Sequence, residues 1–391
     1  MTNCATVRHR GELDDRLGVE YELLPVKLNI EQVSNMVYLA QQPRISIGIP
    51  TYVRTTYIGT ALESCFSQTF SDYEIIVHDD TQDESIKGIV ESYGSPRLRY
   101  VQNTPPLGLV SKLNDLLTRA RGQWLVILCD DDAFEPGLLE ELLQLAQAHP
   151  YASLLRSRNR LIDEAGRELT LDLSWPEVLD SSSFLERLFL PGDRNIAMNL
   201  TGMMFRPAQL QALGGFVNLY RAWHVDRLAW AQLGAEGPVV SSPNVLCNIR
   251  IHEGSITSGS IPDYGKALES DLVMKGIVER LIANKLAVAT SEAEKQNLHS
   301  AGTAFAGYLA RHMSRSLDHG LLAALASPDA GKQSDLLNVM AQLNIPSFST
   351  ERAYRVLRHL PLWARKAAVA CIYRYKQHWF KRPAKRRKSG A

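Results

Sequence analysis

An apolar run, Trp124-Leu125-Val126-Ile127-Leu128-Cys129, leads directly into Asp130-Asp131-Asp132. Carboxylates at the end of a buried strand are costly unless a cation compensates them. Hard divalent ions such as Mg²⁺ or Mn²⁺ take one or two carboxylates together with phosphate oxygens and water. The run therefore reads as a metal site facing a phosphorylated ligand. On these residues alone a second reading stays open, in which the three aspartates are solvated caps of a helix over 136–149.

Two other strand ends carry polar signatures. Residues 44–50 read as a strand running into Pro50-Thr51-Tyr52, and residues 73–77 as a strand running into His78-Asp79-Asp80. Ile58, Ala61, Leu62, Cys65 and Phe66 between them keep helical spacing. A helix over 83–93, a strand over 98–102 and a helix over 108–120 complete the approach to the aspartate triplet. This β-α order predicts a mostly parallel sheet with helices on both faces, in which ligands bind beyond the carboxyl ends of the strands. Asp79 and Asp80 also fit ordinary turn chemistry. Farther on, the pattern predicts a strand over 153–162, a turn at Asp163-Glu164-Ala165-Gly166, a helix over 207–213 stopped by Gly214-Gly215, a helix starting near Asp226 and a strand over 245–251. From Tyr264 the pattern is helical, punctuated at Pro328 and Pro346. The expected organisation is an N-terminal extension (1–43), a sheet domain (44–262), a helical appendage (263–350) and a basic tail (351–391).

The 391 residues suffice for a full core. Cys4, Cys65, Cys129, Cys247 and Cys371 are widely spaced and form no CxxC pair, which argues against a disulfide framework or a zinc site and fits a reducing cytoplasm. No stretch approaches the roughly 18 apolar residues of a membrane span, and no export signal is apparent. The net charge of +1 hides an asymmetry: 13 of the 43 basic residues fall between Arg352 and Lys388, where there is no acid, leaving 30 basic against 42 acidic residues before them. The tail mixes these cations with Leu360, Trp363, Ile372, Tyr373, Trp379 and Phe380. It reads as an amphipathic segment for an anionic membrane surface, each cation worth about 1 kcal/mol there, or as a packed helix with a charged end. Nucleic acid is disfavoured, because nothing resembles a recognition motif and the acidic body would repel phosphates.

Several stretches together resemble the family 2 glycosyltransferases, whose nucleotide-sugar domain has the GT-A fold. They are Ser46-Ile47-Gly48-Ile49-Pro50-Thr51-Tyr52, the run from Ser67-Gln68-Thr69-Phe70 to Asp79-Asp80, Asn103 with Gly108 and Asn114, and Cys129 to Pro136. The similarity covers about residues 44–260. It implies a GT-A type, Rossmann-like, mostly parallel sheet, with a C-terminal helical region beyond it. It implies too that Asp80 receives the base, that Pro50, Thr51 and Tyr52 shape the base and ribose pocket, and that Lys112 pairs with the diphosphate; a solvated helix lysine is the alternative for Lys112. In the family's Asp-x-Asp metal motif, Asp131 and Asp132 take the last two places and Cys129 stands where the first Asp often sits. That leaves Asp131 as the best ligand for Mg²⁺ or Mn²⁺, Asp132 orienting the site and Asp130 near the ribose or a metal water. Trp223-His224-Val225-Asp226-Arg227 falls where the family places its catalytic base. Asp226 matches the family's Asp and Val225 replaces its usual Glu; a cap of the following helix is the alternative for Asp226. Arg250 and His252 resemble an Arg-x-His segment in which His252 meets the diphosphate or metal and Arg250 braces it.

The expected activity is inverting, metal-assisted transfer of a sugar from a nucleoside diphosphate donor to a hydroxyl of a glycan or lipid-linked acceptor, in cell-surface polysaccharide assembly. The expected location is the cytoplasm, peripheral on the membrane face, with oligomeric state open. The rivals are a non-catalytic GT-A-like scaffold, kept alive by Cys129 and Val225, and a nucleotidyltransferase, disfavoured by the lack of a Gly-rich, Arg-containing loop after the first strand.

Overall fold

The structure is a computed structural model that describes residues 42–190, 198–252 and 264–326. Nearly all of the N-terminal extension, the 351–391 tail and the punctuation at Pro328 and Pro346 lie outside the described residues.

A ten-stranded sheet forms the centre, in the order β3-β2-β1-β4-β9-β6-β10-β5, with β7 pairing β6 and β8 pairing β10. The first strands are β1 (Ile45–Thr51), β2 (Tyr73–Asp79), β3 (Leu98–Gln102) and β4 (Trp124–Ile127), all mutually parallel where they pair. They interleave with α1 (Ile58–Phe66), α2 (Ser85–Glu91) and α3 (Leu109–Arg119). β5 (Ala133–Phe134) and α4 (Leu138–Ala148) follow the aspartates, and β6 (Leu154–Ile162) and β7 (Glu168–Leu171) make an antiparallel hairpin. β8 (Val178–Leu179), α5 (Ser181–Phe189), β9 (Met203–Phe205), α6 (Pro207–Ala212), α7 (Val225–Glu236) and β10 (Val239–Arg250) complete the sheet region. Two long helices close the described chain, α8 (Tyr264–Val288) and α9 (Glu292–Ala326). None of the described helices is long and apolar enough to cross a membrane.

The mostly parallel expectation holds for β1 to β4 and needs correcting beyond them. β9 inserts antiparallel between β4 and β6, while β6 and β10 pair parallel. β2 also runs two residues past the predicted end, because His78 and Asp79 stay in register with Pro50 and Thr51. β10 starts six residues earlier than expected, and irregular register between Ser241 and Cys247 absorbs Pro243.

Alternation along the central strands divides the core. Ile75, Val77, Trp124, Val126 and Leu128 face the cluster covered by α1 and α4, whereas Ile76, Leu125 and Ile127 face the cluster built on α3, α5 and α7. Both faces are covered, so β1 is buried along its whole length. Met274, Val278 and Ile282 of α8, and Leu298, Phe305 and Leu309 of α9, join the second cluster directly. The rings of Phe189 and Phe305 meet edge to face at 4.8 Å.

Gly202 fixes the approach of the 198–202 loop to the sheet. It sits at φ 80°, and an added Cβ would lie 2.3 Å from the Cys247 sulfur. Its N–H donates to the Ile127 carbonyl. Gly202→Ala is expected to destabilise the protein by about 2–4 kcal/mol in urea unfolding, combining left-handed strain with overpacking.

Candidate active site

The carboxyl ends of β1, β2 and β4 bring together five buried aspartates, Asp79, Asp80, Asp130, Asp131 and Asp132. Asp79 accepts from the Thr81 N–H at 2.8 Å and the Tyr100 hydroxyl at 2.7 Å. Asp80, predicted to receive the base, is occupied by donors of the chain. Its carboxylate accepts from Asn103 Nδ2 (2.8 Å), Leu107 N–H (3.0 Å) and Gly108 N–H (2.9 Å), with Lys112 Nζ at 3.3 Å. Burial opposes this charge, but those donors hold the carboxyl below its ordinary range. Gly108, at φ 79°, turns the chain so that consecutive amides point at Asp80.

Lys112 calls for a correction. It is only 3% exposed, so it is not a solvated helix lysine, and its ammonium donates to the Thr51 carbonyl at 2.5 Å while facing Asp80. Burial lowers its pKa and Asp80 opposes that shift. Here it is a strut between β1 and β2, with its charge directed at Asp80 and Thr51.

The triplet itself follows β4 as a turn closed by Asp132 N–H to the Cys129 carbonyl. Thr51 donates to Asp130 at 2.7 Å, and Arg54 reaches both Asp130 (2.9 Å) and Asp131 (2.8 Å). His252 Nε2 lies 2.9 Å from Asp131 Oδ2 and 2.9 Å from Arg54. Thr201 donates to Asp132 at 2.5 Å and takes the Cys129 N–H at 3.0 Å. The Arg250 amide donates to Asp132 at 2.8 Å. Its guanidinium bonds the carbonyls of Asp131, Asp163 and Glu164, so Arg250 braces the turn through its backbone.

Burial raises the carboxyls of Asp130 and Asp132, the latter to about 8 with the Asp131 charge adding to the shift. Although its burial works against the charge, the Arg54 guanidinium is held up by Asp130 and Asp131. Burial keeps the Cys129 thiol protonated, well above its ordinary range. Ligand atoms of Cys129, Asp131 and Asp132 lie within 4.8 Å of one another. With the thiol neutral, two carboxylates remain as hard oxygen donors, a set that fits Mg²⁺ or Mn²⁺.

Tyr52 is exposed beside this cluster, its ring 6.0 Å from Lys112 Nζ, and Pro50 lies one residue inside the β1 end. Asp226 stands apart in the first turn of α7. The cap of that helix is His224, not Asp226 as the alternative reading had it, and Asp226 accepts the Arg227 N–H at 2.6 Å. Burial raises its carboxyl. The loop before it is strained: Arg221, Ala222 and His224 all have positive φ. Trp230 of α7 donates to the Asn199 carbonyl at 3.3 Å, which ties this helix to the loop that carries Thr201.

Two residues of the cluster escaped the sequence reading. Arg54 could have been found, because a dense group of strand-end acids demands a cation and Arg54 lies three residues past β1. Thr201 had no signal, being 69 residues from Asp132.

Comparison with known proteins agrees with this geometry. Residues 46–205 match glycosyl transferase family 2. The chain is 30% identical over 140 residues to chondroitin synthase of Escherichia coli, an alignment covering 35% of this chain and 20% of that protein. It is 32% identical over 119 residues to the GalNAc(5)-diNAcBac-PP-undecaprenol beta-1,3-glucosyltransferase of Campylobacter jejuni, covering 29% and 38%. The chain thus spans well under half the length of these relatives. S. aureus TarS 1–349, solved in complex with UDP-GlcNAc, superposes with TM-score 0.56 at 18% identity, over 85% of this chain and 92% of that one. That likeness establishes the fold as GT-A.

Breaking the Lys112–Asp80 pair from one side is expected to be costly. Lys112→Met should lose about 3–5 kcal/mol in urea unfolding, and the double variant with Asp80→Asn should lose less than the sum of the single changes.

Proposed function

Because residues 46–205 belong to glycosyl transferase family 2, we propose that this chain transfers a sugar, with inversion, from a nucleoside diphosphate sugar to a hydroxyl of a glycan or lipid-linked acceptor in polysaccharide assembly. The observation that carries this reading is the buried turn Asp130–Asp132, whose carboxylates are oriented by Thr51, Arg54, Thr201, Arg250 and His252. Such a group of acids has its use in holding a cation against phosphate. The relatives support the acceptor class, one being a chondroitin synthase and one acting on an undecaprenol-linked glycan by its name.

Asp131 and Asp132 would hold a divalent ion, which when bound would supply Lewis acidity toward the departing diphosphate. The chain's own residues do the rest. Asp130, held by Thr51 and Arg54, faces the ribose side. Asp80 sets the 103–108 loop that walls the base pocket, beside the exposed Tyr52. His252, already against Asp131, steadies that carboxylate and meets the diphosphate. Arg54 neutralises Asp130 and Asp131 before donor arrives, and the incoming diphosphate gives its guanidinium a second anion. Asp226 takes the acceptor proton as the sugar passes through an oxocarbenium-like state.

The test is a panel of UDP-, GDP- and dTDP-sugars with Mn²⁺, Mg²⁺ or chelator, scored by nucleoside diphosphate release in the presence of candidate acceptors. Release from one donor is expected to require the metal and to fall about 10²–10⁴-fold in Asp226→Asn with donor binding retained. Pyrophosphate release, or turnover untouched in that variant, would refute the assignment. Arg54→Ala separates its two roles: manganese should bind about tenfold tighter without the competing guanidinium, and nucleoside diphosphate about tenfold weaker, as read by calorimetry.

A further inference from the structure

A second cluster of metal-type ligands lies away from the aspartate turn, where the start of α7 meets α8 and α9. His224 precedes α7, Asp271 lies in α8 and His312 in α9. Asp271 is fully buried, and the His224 side chain is 7% exposed. His224 Nε2 stands 3.3 Å from Asp271 Oδ1, and His312 Nδ1 stands 2.9 Å from the same oxygen. The two imidazoles converge at 4.1 Å between ring centroids, nearly perpendicular. One ligand atom from each of the three residues falls within 4.8 Å of the others.

Two atoms at the centre of this cluster are orphans. His224 Nε2 and Asp271 Oδ1 are buried and face each other, yet among the described residues neither makes a hydrogen bond of good geometry, His312 Nδ1 bonding the other oxygen, Asp271 Oδ2, at 3.2 Å. Leaving such groups unsatisfied in the interior is unfavourable to the fold. The opposite nitrogen of His224 is engaged, with Nδ1 2.7 Å from the Tyr308 hydroxyl. When Nδ1–H donates to that oxygen, Nε2 presents its lone pair toward Asp271, the arrangement that an outer partner gives a metal-binding histidine. A tetrahedral ion with bonds of about 2.0 Å holds its ligands about 3.3 Å apart, beside the 3.3 and 2.9 Å from Asp271 Oδ1 to the two imidazole nitrogens.

We propose that His224 Nε2, Asp271 Oδ1 and His312 Nδ1 form a binding site for a divalent transition-metal ion of the zinc class, with a water completing the tetrahedron. Two imidazoles and one carboxylate suit Zn²⁺ better than Mg²⁺, which prefers oxygen. The ion satisfies both orphaned atoms at once and clamps the strained 221–224 segment to the two C-terminal helices. The site does not depend on the proposed transferase reading, since its ligands are distinct from the aspartate turn.

The experiment uses the full chain stripped of metal by chelator, then titrated with Zn²⁺ in excess Mg²⁺, with bound zinc measured by mass spectrometry and thermal unfolding followed in parallel. Wild type and Asp131→Asn are expected to take up one zinc per chain with a rise in Tm. His312→Gln and His224→Gln should each lower zinc affinity more than about 100-fold. Cobalt substitution should give wild type the strong visible bands of a tetrahedral ion, a readout that decides the matter even if a histidine variant fails to fold. Absence of zinc uptake and of tetrahedral cobalt bands in wild type overturns the proposal. So does uptake that Asp131→Asn abolishes and His312→Gln leaves intact.

Discussion

The constraint on which the rest of this structure depends is the cost of gathering acids at the ends of buried strands. Asp79, Asp80, Asp130, Asp131 and Asp132 all lie in the interior, where an uncompensated charge is worth several kcal/mol against the fold. They are answered by separate parts of the chain: the 100–112 segment answers Asp79 and Asp80, the 51–54 segment answers Asp130 and Asp131, and Thr201 and the end of β10 answer Asp132. Compensation thus draws together segments up to 121 residues apart. The same bonds that tolerate the charge fix the direction of every carboxylate, so stability and orientation have one cause.

Where local pattern governs, the sequence could be read closely. The strand 98–102 and the helix 58–66 are found with the ends that alternation and helical spacing give. Failures occur where distant partners decide. β2 outruns its apolar residues because its neighbour β1 continues to offer backbone partners as far as Thr51. β9 is three residues long and becomes a strand only by filling the gap between β4 and β6. Lys112 could be read from its helix as surface or ligand, yet it is the 61-residue reach to Thr51 that buries it. Residue types revealed the acids and several of their partners; which partner orients which carboxylate is a tertiary fact.

The C-terminal helices illustrate a related point. The helical pattern read from Tyr264 onward is found in the described residues of α8 and α9, and Met274, Val278, Phe305 and Leu309 share an apolar cluster with Phe184 and Trp230 of the sheet region. At the centre of that contact is α7, buried continuously from Leu228 to Ala235. Its first turn carries Asp226, and its cap His224 meets Tyr308 of α9. The position of Asp226 is consequently tied to both long helices, and a segment without resemblance to the sheet region contributes to where that carboxylate sits.

Cys129 is the clearest departure from the acidic pattern, and the electrostatics give it a rationale. Asp130, Asp131 and Asp132 follow it immediately, and burial together with the Asp132 and Asp131 charges keeps its thiol neutral. A carboxylate in its place would face the same two charges at the same depth, with Asp132 already pushed to about 8. Arg54 is the guanidinium that bonds carboxylates of this turn, and both of them, Asp130 and Asp131, are further along it. Cysteine here avoids adding a further negative charge to the turn, and its backbone N–H donates to Thr201. The departure therefore limits the charge the turn must hold before a ligand arrives, and leaves Asp131 and Asp132 as its hard donors.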